Sequence, residues 1–123
     1  MNGEQVPLLR LTPKLLKFGF WTAVLVVAIG SLTPGDALPP IGSHDKLLHL
    51  LGHGGLAVHG GFAYATMRLR LVTGLVLFGA VLEVLQQWVP NRSFDWLDMV
   101  ANVSGVLIAM MVVAAIERFR RPR

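Results

Sequence analysis

The chain has 123 residues, of which 54% are hydrophobic and 15% charged, whereas soluble domains typically carry about 25% charged residues. One domain built for an apolar environment is therefore indicated, and the absence of cysteine excludes disulfides and thiolate metal sites. The net charge of +4 does not indicate a nucleic-acid partner, because the basic residues stand only at the edges of apolar runs.

Four apolar stretches approach the roughly 20 residues that a membrane-spanning helix requires. They run from Leu15 to Leu32, Leu47 to Thr66, Leu69 to Val89 and Leu97 to Ile116. Their length and lack of two-residue alternation argue against strands, and the uncharged middle of the first argues against a soluble bundle with a charged outer stripe. We predict an all-α integral membrane four-helix bundle in residues 15–116, with residues 1–14 and 117–123 as tails.

The first stretch also resembles a secretory signal, because Lys14 and Lys17 precede its apolar core. Cleavage there would leave three spans. The apolar core is long for a signal and no clear A-x-A site follows it, so we expect the first helix to be retained.

Lysine and arginine mark the cytoplasmic side of a membrane protein. If both termini are cytoplasmic, nine of the 11 basic residues lie inside, and two, Lys46 and Arg92, lie outside. The sequence therefore predicts a multi-pass protein surrounded by membrane lipids, with both termini in the cytoplasm. It gives no indication of the oligomeric state.

Three of the predicted helices carry polar or small residues at positions i, i+4 and i+7, which share one helix face. These sets are Asp45, His49 and Gly52; Gly79, Glu83 and Gln86; and Asp98, Asn102 and Gly105. Counted at 1.5 Å per residue, all three sets fall in the outer third of the membrane. We therefore expect them to form one polar pocket that faces the outer leaflet.

Glu83 is the most informative residue of this pocket, because an ionisable group within a span usually faces the bundle interior or a wet cavity. We interpret Glu83 and His49 as candidate catalytic residues for acid/base chemistry. Arg92 is suited to bind a carboxylate or phosphate at headgroup depth. The remaining candidate substrate-binding residues are Asp45, Lys46, Gln86, Asp98 and Asn102. A purely structural role, with Glu83 paired to Arg92 or Lys46, stays open.

Two of the histidines are spaced as metal ligands on a helix can be. His49 and His53 are spaced i, i+4, and Glu83 could be a third ligand of a zinc or haem site. No H-E-x-x-H pattern accompanies them, so we predict no metal and no other cofactor. His53 and His59 are interpreted as packing or helix-contact residues, and the glycines around them as positions of close helix approach.

The polar motifs combine into a recognisable pattern: Ser31-x-x-Pro34, Asp45-Lys46-x-x-His49, Glu83-x-x-Gln86, Pro90-x-Arg92 and Asp98-x-x-x-Asn102-x-x-Gly105. This pattern resembles the VanZ-like family of bacterial membrane proteins and covers residues 30–112. The resemblance implies a four-helix domain in the bacterial cytoplasmic membrane and a link to glycopeptide (teicoplanin) resistance, or a housekeeping role in the envelope. His53 departs from the pattern, since family members often carry an aromatic residue there, and this weakens a metal site built on His49 and His53.

Three functions compete. The first is an enzyme that acts by Glu/His acid/base chemistry on the headgroup of an envelope lipid or cell-wall precursor. The second is a non-catalytic protein that holds an envelope lipid, glycopeptide or partner protein. The third, proton or ion transport, lacks a matching acidic residue in the inner half of the helices.

Overall fold

A computed structural model describes residues 12–40 and 44–122. Within these residues the chain is all-helical, as predicted. The elements are α1 (Pro13–Leu32), a short 3-10 turn (Gly35–Ala37), α2 (Asp45–Ala63), α3 (Arg68–Gln86) and α4 (Trp96–Arg120). Helices α2 and α3 end before their apolar runs do, because residues 64–66 and 87–88 form turns.

Three helices, α1, α3 and α4, are long and apolar enough to cross a membrane. Helix α2 is similar in length, with 19 residues, but it contains three histidines and five glycines, which lower its mean hydropathy. The apolar surface of the described residues is extensive, and large side chains such as Trp21, Leu25 and Met111 are exposed. Such a surface fits a protein that is surrounded by lipid.

Helix α2 is the centre of the bundle and contacts each of the other three helices, α4 most extensively. Helices α1 and α4 lie on opposite sides of the α2–α3 pair and do not contact each other. The apolar core between the helices consists of Phe20, Leu56, Ala57, Leu71, Leu75, Val106 and Ala109. Helix α1 contributes Phe20 alone to this core, so it is the most peripheral helix.

Helices α2 and α4 run in the same direction, since Lys46 meets Asp98 near their N-terminal ends and Gly61 meets Val113 further along. Their backbones touch where Gly105 faces Leu50 and Gly54: a Cβ on Gly105 would lie 3.1 Å from the Gly54 nitrogen. Small residues at such a crossing permit close approach of helix backbones.

The glycines of α2 divide into two groups. The expected close approach is confirmed at Gly54, Gly60 and Gly61, where an added Cβ would meet neighbouring helices. It is wrong for Gly52 and Gly55, where a Cβ would have no neighbour within 4 Å.

The two ends of the bundle differ in charge. We call the end formed by residues 13–17, 64–70 and 117–121 the basic end, and the end formed by residues 30–40, 44–49 and 83–98 the acidic end. Of the nine lysines and arginines in the described residues, seven lie at the basic end and two at the acidic end. Four side-chain carboxylates, those of Asp45, Glu83, Asp95 and Asp98, lie close together at the acidic end.

Candidate functional site

The imidazole of His49 is the meeting point of three helices at the acidic end. Its Nδ1 lies 3.1 Å from Asn102 Oδ1 on α4 and 3.4 Å from Glu83 Oε1 on α3. Its Nε2 lies 3.8 Å from Asp45 Oδ1, one turn earlier on α2, and 3.5 Å from Asp98 Oδ2 on α4. The spacing of i, i+4 on each helix thus places acceptor oxygens around both ring nitrogens.

The carboxylate of Glu83 is fully buried, and neither oxygen has a hydrogen-bond partner among the described residues. A buried carboxylate without donors is costly unless a nearby charge or proton compensates it. Among the described residues the ionisable group within ion-pair distance is His49, not the Arg92 or Lys46 that a structural pairing would use. Glu83 and His49 therefore form a pair, as an acid/base role requires.

Lys46 holds the start of α2 against the start of α4. Its ammonium donates to Asp95 Oδ2 at 2.6 Å and to Asp98 Oδ1 at 2.8 Å. The Lys46 ammonium, together with the Leu97 N–H that Asp95 accepts, holds the pKa of the Asp95 carboxyl below its usual value.

Asp95 was not among the predicted site residues. Its sequence signal was its position at the N-cap of α4, three residues before Asp98, where an acidic side chain faces the first turn.

Arg92 and Gln86 both reach the C-terminal end of α1. Arg92 donates from Nε to Thr33 O at 3.2 Å and from Nη2 to Gly30 O at 3.1 Å, and Gln86 Nε2 donates to Ser31 O at 2.9 Å. These bonds satisfy carbonyls that a helix leaves open at its end. A guanidinium has five N–H donors, so Arg92 keeps donors for a ligand while it anchors α1.

Two cavities of about 330 and 320 Å³ open beside this cluster. The first is lined by His49, Gly52 and His53 among others, and the second by Asp95 and Asp98. Both share the walls formed by Asp45, Gln86, Arg92, Leu38 and Pro39. Five of the eight predicted site residues (Asp45, His49, Gln86, Arg92 and Asp98) thus line a cavity, whereas Glu83 and Asn102 lie behind His49.

His53 packs inside the bundle against Phe78, as the sequence interpretation predicts, and it also borders the polar layer. It is 2% exposed, its Nε2 has no hydrogen-bond partner among the described residues, and it lines the first cavity. Gly79 makes room for it, since a Cβ there would lie 2.9 Å from His53 Nε2 and 3.1 Å from Asn102 Nδ2. A third histidine, His59, contacts Leu16 O at 2.9 Å at the basic end, which confirms its packing role.

The three side chains best placed to share a metal ion differ from those considered in the sequence. In the described part of the chain they are Asp45, His49 and Asp98, whose candidate ligand atoms all lie within 4.8 Å of one another. The set of His49, His53 and Glu83 is not brought together in this way.

Comparison with known proteins finds no matching family model, no matching curated protein and no matching solved structure.

Proposed function

We propose that this chain is a VanZ-like protein of the bacterial cytoplasmic membrane that crosses the bilayer four times with both termini inside. In this proposal the acidic end faces the outer leaflet and takes up the phosphate-bearing headgroup of an envelope lipid or cell-wall precursor. His49, paired with Glu83, moves a proton during a reaction on that headgroup. The support for family and topology is the motif spacing and the charge difference between the two ends.

The packing of α2 supports the fourth crossing. Helix α2 contacts α4 from Lys46–Asp98 at one end to Gly61–Val113 further along, so it lies at the same depth as a helix that is apolar enough to span. Three of its less apolar residues, His53, Gly60 and Gly61, are buried inside the bundle, whereas Leu47, Leu48 and Leu51 are exposed. A helix can span with low mean hydropathy when its polar groups face the bundle interior rather than lipid.

The observation that carries the proposed chemistry is the position of His49 between a buried carboxylate and a cavity. A carboxylate on one ring nitrogen orients an imidazole and stabilises its protonated form, which leaves the other nitrogen to act as acid or base. Glu83 occupies the Nδ1 side, and the cavity beside His49 is also lined by Arg92. The remaining N–H donors of Arg92 suit a phosphate group.

The experiment compares wild type with Glu83→Gln and His49→Gln in detergent, incubated with a bacterial lipid extract and with polyprenyl-phosphate-linked cell-wall precursors. Products are followed by mass spectrometry. Because general acid/base catalysis contributes roughly 10²–10⁴-fold, both variants should lose at least about 100-fold in rate. His59→Gln is the matched control, since His59 lies at the basic end and should leave the rate unchanged. Folded variants with the wild-type rate would contradict the proposal.

A non-catalytic binding function is the second candidate. It is favoured by the observation that both nitrogens of His49 already contact protein oxygens, and that Arg92 and Gln86 serve as anchors for α1. It predicts that a phosphate-bearing lipid co-purifies unaltered and that no turnover follows. A covalent change in the bound lipid would reject it.

Teicoplanin resistance, which the resemblance implies, stays a prediction under either candidate and is measured by comparing susceptibility with and without the gene.

A further inference from the structure

We infer that Asp45, His49 and Asp98 bind a divalent transition-metal ion at the acidic end. The ligand atoms are His49 Nε2, Asp45 Oδ1 and Asp98 Oδ2, with the two oxygens 3.8 and 3.5 Å from the nitrogen. Zinc bonds of about 2.0–2.2 Å in tetrahedral geometry separate neighbouring ligand atoms by roughly 3.4 Å. The two nitrogen–oxygen distances therefore lie within about 0.4 Å of that separation, and the candidate ligand atoms of the three side chains all lie within 4.8 Å of one another.

The second, independent observation is the buried carboxylate behind His49. Glu83 is fully buried, its oxygens lack hydrogen-bond donors among the described residues, and Oε1 lies 3.4 Å from His49 Nδ1. Metal-bound histidines usually donate their other ring N–H to a carboxylate or carbonyl, which fixes the tautomer and orients the ring. With an ion on Nε2, the Nδ1 proton of His49 would be directed at Glu83 and at Asn102 Oδ1.

The charge of the cluster also favours a cation. Four carboxylates (Asp45, Glu83, Asp95 and Asp98) lie close together against one ammonium, that of Lys46. Arg92 makes no ion pair within 4 Å in the described residues and instead donates to α1 carbonyls. A divalent ion would offset two of the excess negative charges and would also satisfy the acceptors on the Nε2 side.

The ion would remain open to both acidic-end cavities. Asp45 lines both cavities, His49 lines the first and Asp98 lines the second, and Arg92 lines both. A phosphate oxygen or a water could therefore complete the coordination beside Arg92. The metal site and the proposed function share this pocket but not one state of His49, because an ion on Nε2 would leave no free ring nitrogen for proton transfer. A bound ion would supply Lewis-acid chemistry there, and the proposed acid/base role of His49 belongs to the metal-free protein.

The experiment uses the full chain without a histidine tag, treated with EDTA, dialysed in detergent and titrated with Zn²⁺ by calorimetry. Mass spectrometry of the metal content gives the stoichiometry, and Co²⁺ absorption reports the coordination. We expect one ion per chain. Asp45→Asn, His49→Ala and Asp98→Asn should each weaken Zn²⁺ binding by about tenfold or more, the range that loss of a supporting group alone produces.

Asp36→Asn is the matched control, because Asp36 is an exposed carboxylate at the same end that lies outside the ligand set and lines neither cavity, and it should change the affinity by no more than about twofold. If Asp98→Asn fails to fold, Asp45→Asn decides, since its side chain is 37% exposed. Absence of bound Zn²⁺, or equal binding by wild type and all variants, would overturn the inference. If EDTA-treated protein still binds the lipid headgroup, the ion is not needed to hold the phosphate. That result would overturn a role of the ion in phosphate binding and would leave the proposed function standing.

Discussion

The contact between the backbones of α2 and α4 holds the candidate site together, and Gly105→Ala tests it. A Cβ on Gly105 would lie 3.0 Å from the carbonyl carbon of Leu50 and 3.1 Å from the nitrogen of Gly54, and closer still to Leu50 O. All three are backbone atoms of a helix, so no side chain can rotate to make room. The two helices must separate instead.

Forcing a methyl group into a packed contact typically costs about 1–3 kcal/mol. Alanine is intrinsically the better helix former by up to about 1 kcal/mol, which offsets part of that cost. Gly55→Ala is the matched control, because a Cβ on Gly55 has no neighbour within 4 Å and only the favourable helix propensity applies. We expect Gly105→Ala to be less stable than wild type and Gly55→Ala to be equal or more stable.

Separation of α2 from α4 should also weaken the site, since the 3.1 Å contact between His49 and Asn102 and the bonds of Lys46 to Asp98 bridge these two helices. The assay is thermal unfolding followed by circular dichroism in detergent, together with Zn²⁺ titration of each variant. Equal stability and equal Zn²⁺ affinity of the two alanine variants would refute the described α2–α4 contact.

Two further predictions concern topology and pH. Because the chain has no cysteine, Ser93→Cys should react with a membrane-impermeant maleimide in intact cells and Arg118→Cys only after lysis; the reverse pattern would contradict the orientation. Because Lys46 holds the pKa of Asp95 below its usual value, this pair stabilises the fold above about pH 4, the ordinary value for an aspartate, and its contribution is lost as pH falls through the lowered pKa. The melting temperature of wild type should then fall more steeply on acidification than that of Asp95→Asn, and parallel curves would contradict this.

The length of the apolar runs was sufficient to predict the helices. Long apolar runs separated by Thr33–Pro40 and by Pro90–Trp96 predicted α1, α3 and α4 to within about a turn at each end. Helix α2 was recognised as apolar in the sequence, but its histidines and glycines lower its hydropathy. Mean hydropathy alone therefore does not distinguish a polar helix that spans the membrane inside a bundle from a helix that lies outside the membrane.

The convergence of the polar residues was also predictable, because i, i+4 spacing fixes which side chains share a helix face. The spacing brought His49, Glu83 and Asn102 into one layer, as expected. It gave no information on which partners each group selects. Arg92 bonds the end of α1 because of the geometry of the loops. Lys46 bridges Asp95 and Asp98 because α2 and α4 pack in parallel.

The neighbours of His53 could not be predicted for a similar reason. A lone histidine on a glycine-rich helix is usually a packing residue, and nothing in the sequence connected it with Gly79 on another helix. Only the packed bundle shows that Gly79 leaves the space that His53 and Asn102 fill.

The central claim is that the acidic end takes up a phosphate-bearing headgroup from the membrane. Native mass spectrometry of the purified protein with its co-purified lipids tests it most directly, with wild type compared to Arg92→Ala and to Arg70→Ala, a control at the basic end. We expect a phosphate-bearing envelope lipid on wild type and on Arg70→Ala, and its loss from folded Arg92→Ala. The same lipids on all three proteins would contradict it.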